Sequence, residues 1–134
     1  MDRRELVTEA AKARSRAYAP YSSFAVGAAL LGKSGRVYHG CNVENASYGA
    51  TICAERVALT KAVSEGETEF QAIAVVCDTA EPVPPCGICR QVLAEFSPRM
   101  EVIMATLRGE CETTRLDVLY PNAFGTANLG GGDN

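Results

Sequence analysis

Cys53, Glu55, Cys86 and Cys89 are the residues of this chain best equipped for chemistry. They occur in Thr51-Ile52-Cys53-Ala54-Glu55-Arg56 and Pro85-Cys86-Gly87-Ile88-Cys89-Arg90. Three thiolates can hold one zinc ion and leave its fourth tetrahedral position to water, whereas structural zinc takes four protein ligands. Glu55, two residues after Cys53, can lie beside such a metal without ligating it, where a general acid/base is needed. A lone C-x-x-C leaves a redox pair and half of a structural zinc site open. A redox pair gives no reason for Cys53-x-Glu55, and a structural site needs a fourth ligand. The single histidine, His39, sits on a strand-like stretch before a glycine and reads as an exposed or hydrogen-bonded surface imidazole.

Three thiolates and Zn²⁺ sum to −1, which weakens the metal as a Lewis acid and holds the pKa of bound water higher. Two features offset this charge. Both cysteine segments are expected to open helices, whose free N–H groups point at sulfur. Arg56, three residues after Cys53, falls on the same helical face.

The rest of the chain supplies elements to position these groups. Leu6, Ala10, Ala13 and Ala17 predict a helix over residues 3–18, stopped by Pro20. Phe24 to Leu31 reads as a buried strand, Gly32-Lys33-Ser34-Gly35 as a hairpin turn, and Arg36 to Cys41 as the returning strand. A polar loop, 42–51, leads to a helix from Cys53 to Ser64 with a stop at Gly66. Phe70 to Cys77 is a near-continuous apolar strand, as in the middle of a sheet. A proline-rich loop, 78–85, precedes a second helix from Gly87 to Phe96. Strands follow at Glu101 to Leu107 and near Cys111 to Arg115, then a helical turn at Leu116 to Leu119 and a loose tail from about residue 126 to 134. The β-α-β-α-β middle implies strands of one direction with helical crossovers. Arg108-Gly109-Glu110 is too short for a crossover, so the fifth strand is expected to run antiparallel. The expected fold class is therefore α/β with a five-stranded mixed sheet, its first hairpin and last strand antiparallel.

At 134 residues, 47 % of them apolar, one domain spanning 1–134 with a normal core is expected. A net charge of −3 argues against a nucleic-acid partner, since phosphates need clustered Lys and Arg. No secretory signal or membrane span is read in the chain. Six cysteines in a core-forming chain point to a reduced, cytoplasmic compartment, with Cys41, Cys77 and Cys111 read as small buried hydrophobes.

C-A-E-R followed by P-C-G-I-C is the C-x-E…P-C-x-x-C form of the zinc deaminase signature. Pro20-Tyr21-Ser22, Phe24-Ala25-Val26-Gly27-Ala28-Ala29, Gly40-Cys41-Asn42-Val43-Glu44-Asn45 and Leu119-Tyr120-Pro121-Asn122-Ala123-Phe124 add to it. On these stretches the chain resembles the cytidine deaminase family, specifically its small three-cysteine, homotetrameric type. The resemblance implies a three-layer α/β/α sandwich and one zinc per chain on Cys53, Cys86 and Cys89. It implies Glu55 as proton shuttle and Arg56 against the thiolates. Phe24 would pack on the pyrimidine, Asn42 and Glu44 would bond the ribose 3′-hydroxyl, and the Ala54 backbone would read the base edge. Phe124, Tyr48 and the loop around Ala46 would reach a neighbouring subunit's site. An antiparallel fifth strand goes with nucleoside deaminases, and a parallel one with tRNA- and DNA-editing relatives. Hydrolysis of cytidine and 2′-deoxycytidine is thus expected. A modified nucleoside such as blasticidin S is the nearest alternative, and a non-catalytic zinc-stabilised interaction domain a more distant one.

Overall fold

The computed structural model describes residues 1–129. Helix α1 (Arg3–Arg14) opens on a capping box: Asp2 accepts from the Glu5 amide at 2.8 Å, and Glu5 accepts from the Asp2 amide at 2.9 Å. It buries Leu6, Ala10 and Ala13. The helix ends before the expected residue 18. Tyr18 is drawn into extended backbone, donating to the Asn42 carbonyl and accepting from the Glu44 amide, both at 2.9 Å.

Strand β1 (Val26–Gly32) pairs antiparallel with β2 (Val37–Cys41) on one side and with β3 (Phe70–Cys77) on the other. Phe24, expected inside β1, lies outside it. Ser23 has φ 60°, and Asn42 takes the Phe24 carbonyl and Val26 amide at 2.8 and 2.9 Å. These side-chain bonds replace ladder bonds there. Helix α2 (Ala54–Ser64) joins β2 to β3; α3 (Gly87–Ala94), shorter than expected, joins β3 to its parallel neighbour β4 (Glu101–Thr106). β5 (Cys111–Arg115) runs antiparallel to β4, as its short connection requires. Helix α4 (Leu116–Leu119) follows. The strand order is β2-β1-β3-β4-β5. β2, β3 and β4 share one direction, but β1 lies between β2 and β3, so the α2 crossover skips a strand. Thr126–Leu129 forms a 3₁₀ turn inside the expected tail; residues 130–134 of that tail lie outside the described residues.

The central strands β1, β3 and β4 are buried on both faces of the sheet. On one face α1 packs Leu6 and Ala10 against Ala29, Leu31, Ala74, Val76 and Ile103. On the other, α2 and α3 pack Ala58, Leu59, Ala62 and Leu93 against Leu30, Ile73, Val75 and Val102. The architecture is the expected three-layer α/β/α sandwich. Two strand glycines let the helices sit this close: a Cβ at Gly27 would overlap the Ala10 carbonyl, and one at Gly40 the Ala54 carbonyl and Ala58 amide. Gly40 thereby seats the first turn of α2, on which the chemistry depends.

Candidate active site

Cys53 and Cys86 are the N-cap residues of α2 and α3, and neither side chain bonds an amide of its own helix. Cys89 lies one turn into α3 and is buried. The sulfurs of Cys53 and Cys86 stand 3.6 Å apart, and those of Cys86 and Cys89 3.2 Å apart. All three Sγ atoms lie within 4.8 Å of one another. Zn–S bonds of about 2.3 Å in a tetrahedron give sulfur–sulfur edges of about 3.8 Å, so small outward shifts admit zinc. Among the described residues no other group of His, Cys, Asp or Glu converges in this way.

The electrostatics suit an anionic ligand set. The Cys53 thiol is pulled down to about 5, first by the Cys89 thiol donating to it and then by Arg56. Cys89 is held up, since its proton serves Cys53. A dication would displace these shared protons, with Cys53, Cys86 and Cys89 as its thiolate ligands. Arg56 reaches Cys53 Sγ from Nη2 at 3.8 Å and the Thr51 carbonyl at 3.3 Å. Its Nε is buried with no partner among the described residues, so part of the guanidinium is committed to charge rather than to hydrogen bonds. Arg90 points elsewhere, bonding the Pro85 carbonyl at 2.8 Å and the Leu119 carbonyl at 3.0 Å.

Glu55 is only 4 % exposed. Burial, with a smaller contribution from the Cys53 charge, pushes its carboxyl up to about 7. It lines a cavity of about 250 Å³ together with Cys53, Cys86, Phe24, Asn42, Glu44 and the Ala54 segment. Six of the residues singled out in the sequence for metal or substrate are thus brought together around Glu55. Val75, Cys77, Val83 and Pro84 also line it, and Ser22, Val26 and Thr51 complete the lining. Val75 and Cys77 carry no signal of this in the sequence, because an apolar β3 residue reads as core.

Asn42 and Glu44 build the floor of the cavity as well as facing it. Asn42 spends one donor and one acceptor on the backbone of Phe24 and Val26. Glu44 accepts from the Tyr21 amide at 2.9 Å, the Ser22 amide at 3.1 Å and the Ser22 hydroxyl. These bonds hold its carboxyl below the usual range, the Ser22 hydroxyl contributing most. Carboxylate oxygens have about four lone-pair sites and the Asn amide two donors, so both residues keep capacity for a ligand. Ser22, quoted in the sequence only as part of a motif, ties the loop together: its hydroxyl also accepts from the Phe24 amide at 3.0 Å.

Ala46, Tyr48 and Phe124 do not line this cavity. Tyr48 is exposed, its ring edge-on to Tyr21 at 5.9 Å between centroids, and Phe124 is more than half exposed. His39 pairs with Glu9 at 2.8 Å, the hydrogen-bonded imidazole expected. All six cysteines stand free; Cys77 is buried, Cys41 half-buried and Cys111 exposed, so Cys111 is not the buried hydrophobe expected.

A three-thiol metal cluster at two helix N-termini, with a buried carboxylate beside it in an α/β/α sandwich, defines the class. The profile of the cytidine and deoxycytidylate deaminase zinc-binding region matches residues 1–106, and the chain belongs to that family. It is 53 % identical over 130 residues to a cytidine deaminase of Sporosarcina psychrophila, covering 96 % of each chain. To a cytidine deaminase of Halalkalibacterium halodurans it is 56 % identical over 125 residues, covering 92 % of this chain and 95 % of the relative. The crystal structure of cytidine deaminase from Burkholderia pseudomallei superimposes with a TM-score of 0.90 at 50 % identity, over 92 % of this chain and all of that one. That from Mycobacterium tuberculosis gives 0.81 at 42 % identity, over 93 % and 98 %.

Proposed function

We propose that this chain, acting as a single domain, hydrolyses cytidine and 2′-deoxycytidine to uridine and 2′-deoxyuridine with release of ammonia. The carrying observation is a buried, proton-holding Glu55 beside three converging thiols at the wall of a small cavity. Similarity to cytidine deaminases over nearly the whole chain supports the same reading.

In this reading Cys53, Cys86 and Cys89 would hold one zinc, which would supply a Lewis acid to make water nucleophilic at neutral pH. Water attacks C4 of the cytosine ring. Glu55 would accept its proton and deliver it to N3, then take the proton of the new C4 hydroxyl and pass it to the amine, which leaves as ammonia as the C4–N bond breaks and the C4 carbonyl forms. The proton affinity conferred by burial suits each transfer, since an acid/base works best with a pKa near the working pH. Arg56 and the helix N-termini offset the thiolates. Phe24 and the Ala54 backbone hold the base, and the spare capacity of Asn42 and Glu44 meets the sugar hydroxyls. Glu44 in the cavity repels phosphate, which favours a nucleoside over a nucleotide.

Tyr48 and Phe124 act, in this proposal, on a neighbouring subunit's cavity within a homotetramer. Their exposure, with that of Tyr21, Ile52, Ile88 and Val118, supplies apolar surface for assembly. Among the described residues no helix is long and apolar enough to cross a membrane. Six unpaired thiols accord with a reducing, cytoplasmic setting. The test is an ultraviolet assay of cytidine, deoxycytidine and blasticidin S, with a zinc count per chain and sedimentation. Turnover of the first two by a zinc-loaded tetramer is expected. Turnover of blasticidin S alone would transfer the activity to modified nucleosides, and no turnover by zinc-loaded protein would overturn the proposal.

A further inference from the structure

Phe124 stands at the end of a segment that has little backbone bonding of its own. Tyr120 donates to the Leu116 carbonyl at 2.8 Å, and among the described residues no backbone–backbone hydrogen bond reaches residues 121–124. Pro121 has no N–H to offer, and Asn122 adopts φ 54°. Leu119, Tyr120 and Ala123 pack on the larger core, but Phe124 itself is exposed. What fixes the segment is a pair of consecutive side chains on α3. Arg90 joins the Pro85 carbonyl, next to Cys86, to the Leu119 carbonyl. Gln91 donates from Nε2 to the Phe124 carbonyl at 2.8 Å and accepts the Tyr120 hydroxyl on Oε1 at 2.7 Å. Gln91 thus bonds both ends of 120–124 at once. Only an amide offers a donor and an acceptor in that arrangement; a carboxylate cannot donate to the Phe124 carbonyl, and an aliphatic chain does neither.

We propose that Gln91 is a positioning residue that sets Phe124 relative to α3, the helix whose first turn carries Cys86 and Cys89. It belongs neither to the thiol cluster nor to the residues lining the cavity, and acts through the backbone of residue 124. The inference rests on Phe124 contacting substrate, and the experiment separates the two ideas. Zinc-loaded wild type, Gln91→Leu, Phe124→Ala and the double variant are compared for KM and kcat on cytidine, with amide hydrogen exchange across residues 119–125.

Gln91→Leu should raise KM on the order of fivefold with kcat nearly unchanged, the scale of one or two neutral hydrogen bonds. Exchange at the bonded amides of Tyr120 and Gly125 should quicken, and zinc content should hold. In the Phe124→Ala background the same substitution should add no further rise in KM. A rise that persists there overturns the clasp, because Gln91 then acts by another route. A rise in Phe124→Ala with none in Gln91→Leu also overturns the clasp while sparing Phe124. An unchanged KM in Phe124→Ala removes the role of Phe124 and the proposal with it. Tyr120→Phe removes only one arm and serves if Gln91→Leu folds poorly: a smaller rise in KM with faster exchange supports the clasp, and no change in either overturns it.

Discussion

The three long helices start in two different ways. Helix α1 closes its own N-terminus with the carboxylates of Asp2 and Glu5, at the end of the sheet where Arg3 pairs with Glu101 of β4. Helices α2 and α3 start at the opposite end, beyond β2 and β3, on cysteines that make no cap bond. The packing beneath α1 and α2 is alike, each lying on a strand glycine. The difference therefore lies in the caps. In α1 the positive end of the helix dipole is spent on the chain's own carboxylates. In α2 and α3 it remains available to anionic sulfur. A side-chain cap is typically worth about 1 kcal/mol, and both α2 and α3 forgo it at the end where the thiols converge.

Removing a cysteine cap should have the largest effect. Cys86→Ala should lose zinc, turnover and much of its stability, since metal binding energy is also folding energy; full zinc occupancy in that variant would dismiss the ligand assignment. Next comes the burial of Glu55. Its folded pKa, about 7, stands above its ordinary 4.5, so its contribution to stability is complete below 4.5 and is lost as pH rises through 7. Denaturant titrations should therefore show wild type falling behind Glu55→Gln between those limits, by on the order of 3 kcal/mol before bound zinc reduces it. A gap independent of pH would show that the buried carboxyl is not the source.

Arg56→Gln should lower kcat roughly tenfold, the scale of one hydrogen bond to a charged group, with a smaller effect on KM. Adding Cys53→His, which removes one negative charge, should recover part of the loss. Strictly additive losses would make Arg56 a packing residue. The smallest effect is expected at the closed helix: Asp2→Ala should cost about 1 kcal/mol in thermal unfolding and leave kcat unchanged. A fall in kcat there would erase the contrast between the two ends.

The metal residues were legible because their chemistry fixes residue type and spacing together: three thiols and a carboxylate have few other joint uses. β3, β5 and α4 were legible to the residue, bounded as they are by turns and prolines. The ends of α1 and β1 were not. They are decided by Asn42 and Glu44, which reach back some twenty positions to bond residues 21–26, and no local pattern records that. The contribution of β3 to the cavity was hidden for another reason. Val75 and Cys77 satisfy the pattern of a core strand, and being buried by protein looks the same in sequence as facing a pocket. Arg90 reads in the sequence as a weaker candidate than Arg56 to offset the thiolates, and Gln91 as a solvated polar residue, because helix-surface polar residues usually face water; here they hold residues 119–124.

The proposed activity rests on one carboxylate moving a proton beside a metal it does not bind. The most direct test is Glu55→Gln, with zinc per chain and cytidine turnover measured on the same preparation. An amide keeps the size of the side chain and cannot carry the proton, so zinc should stay at one per chain while turnover falls at least about 10²-fold. Turnover within about tenfold of wild type with zinc in place would contradict the role of Glu55 as proton carrier. Loss of zinc would contradict the claim that it stands outside the ligand set.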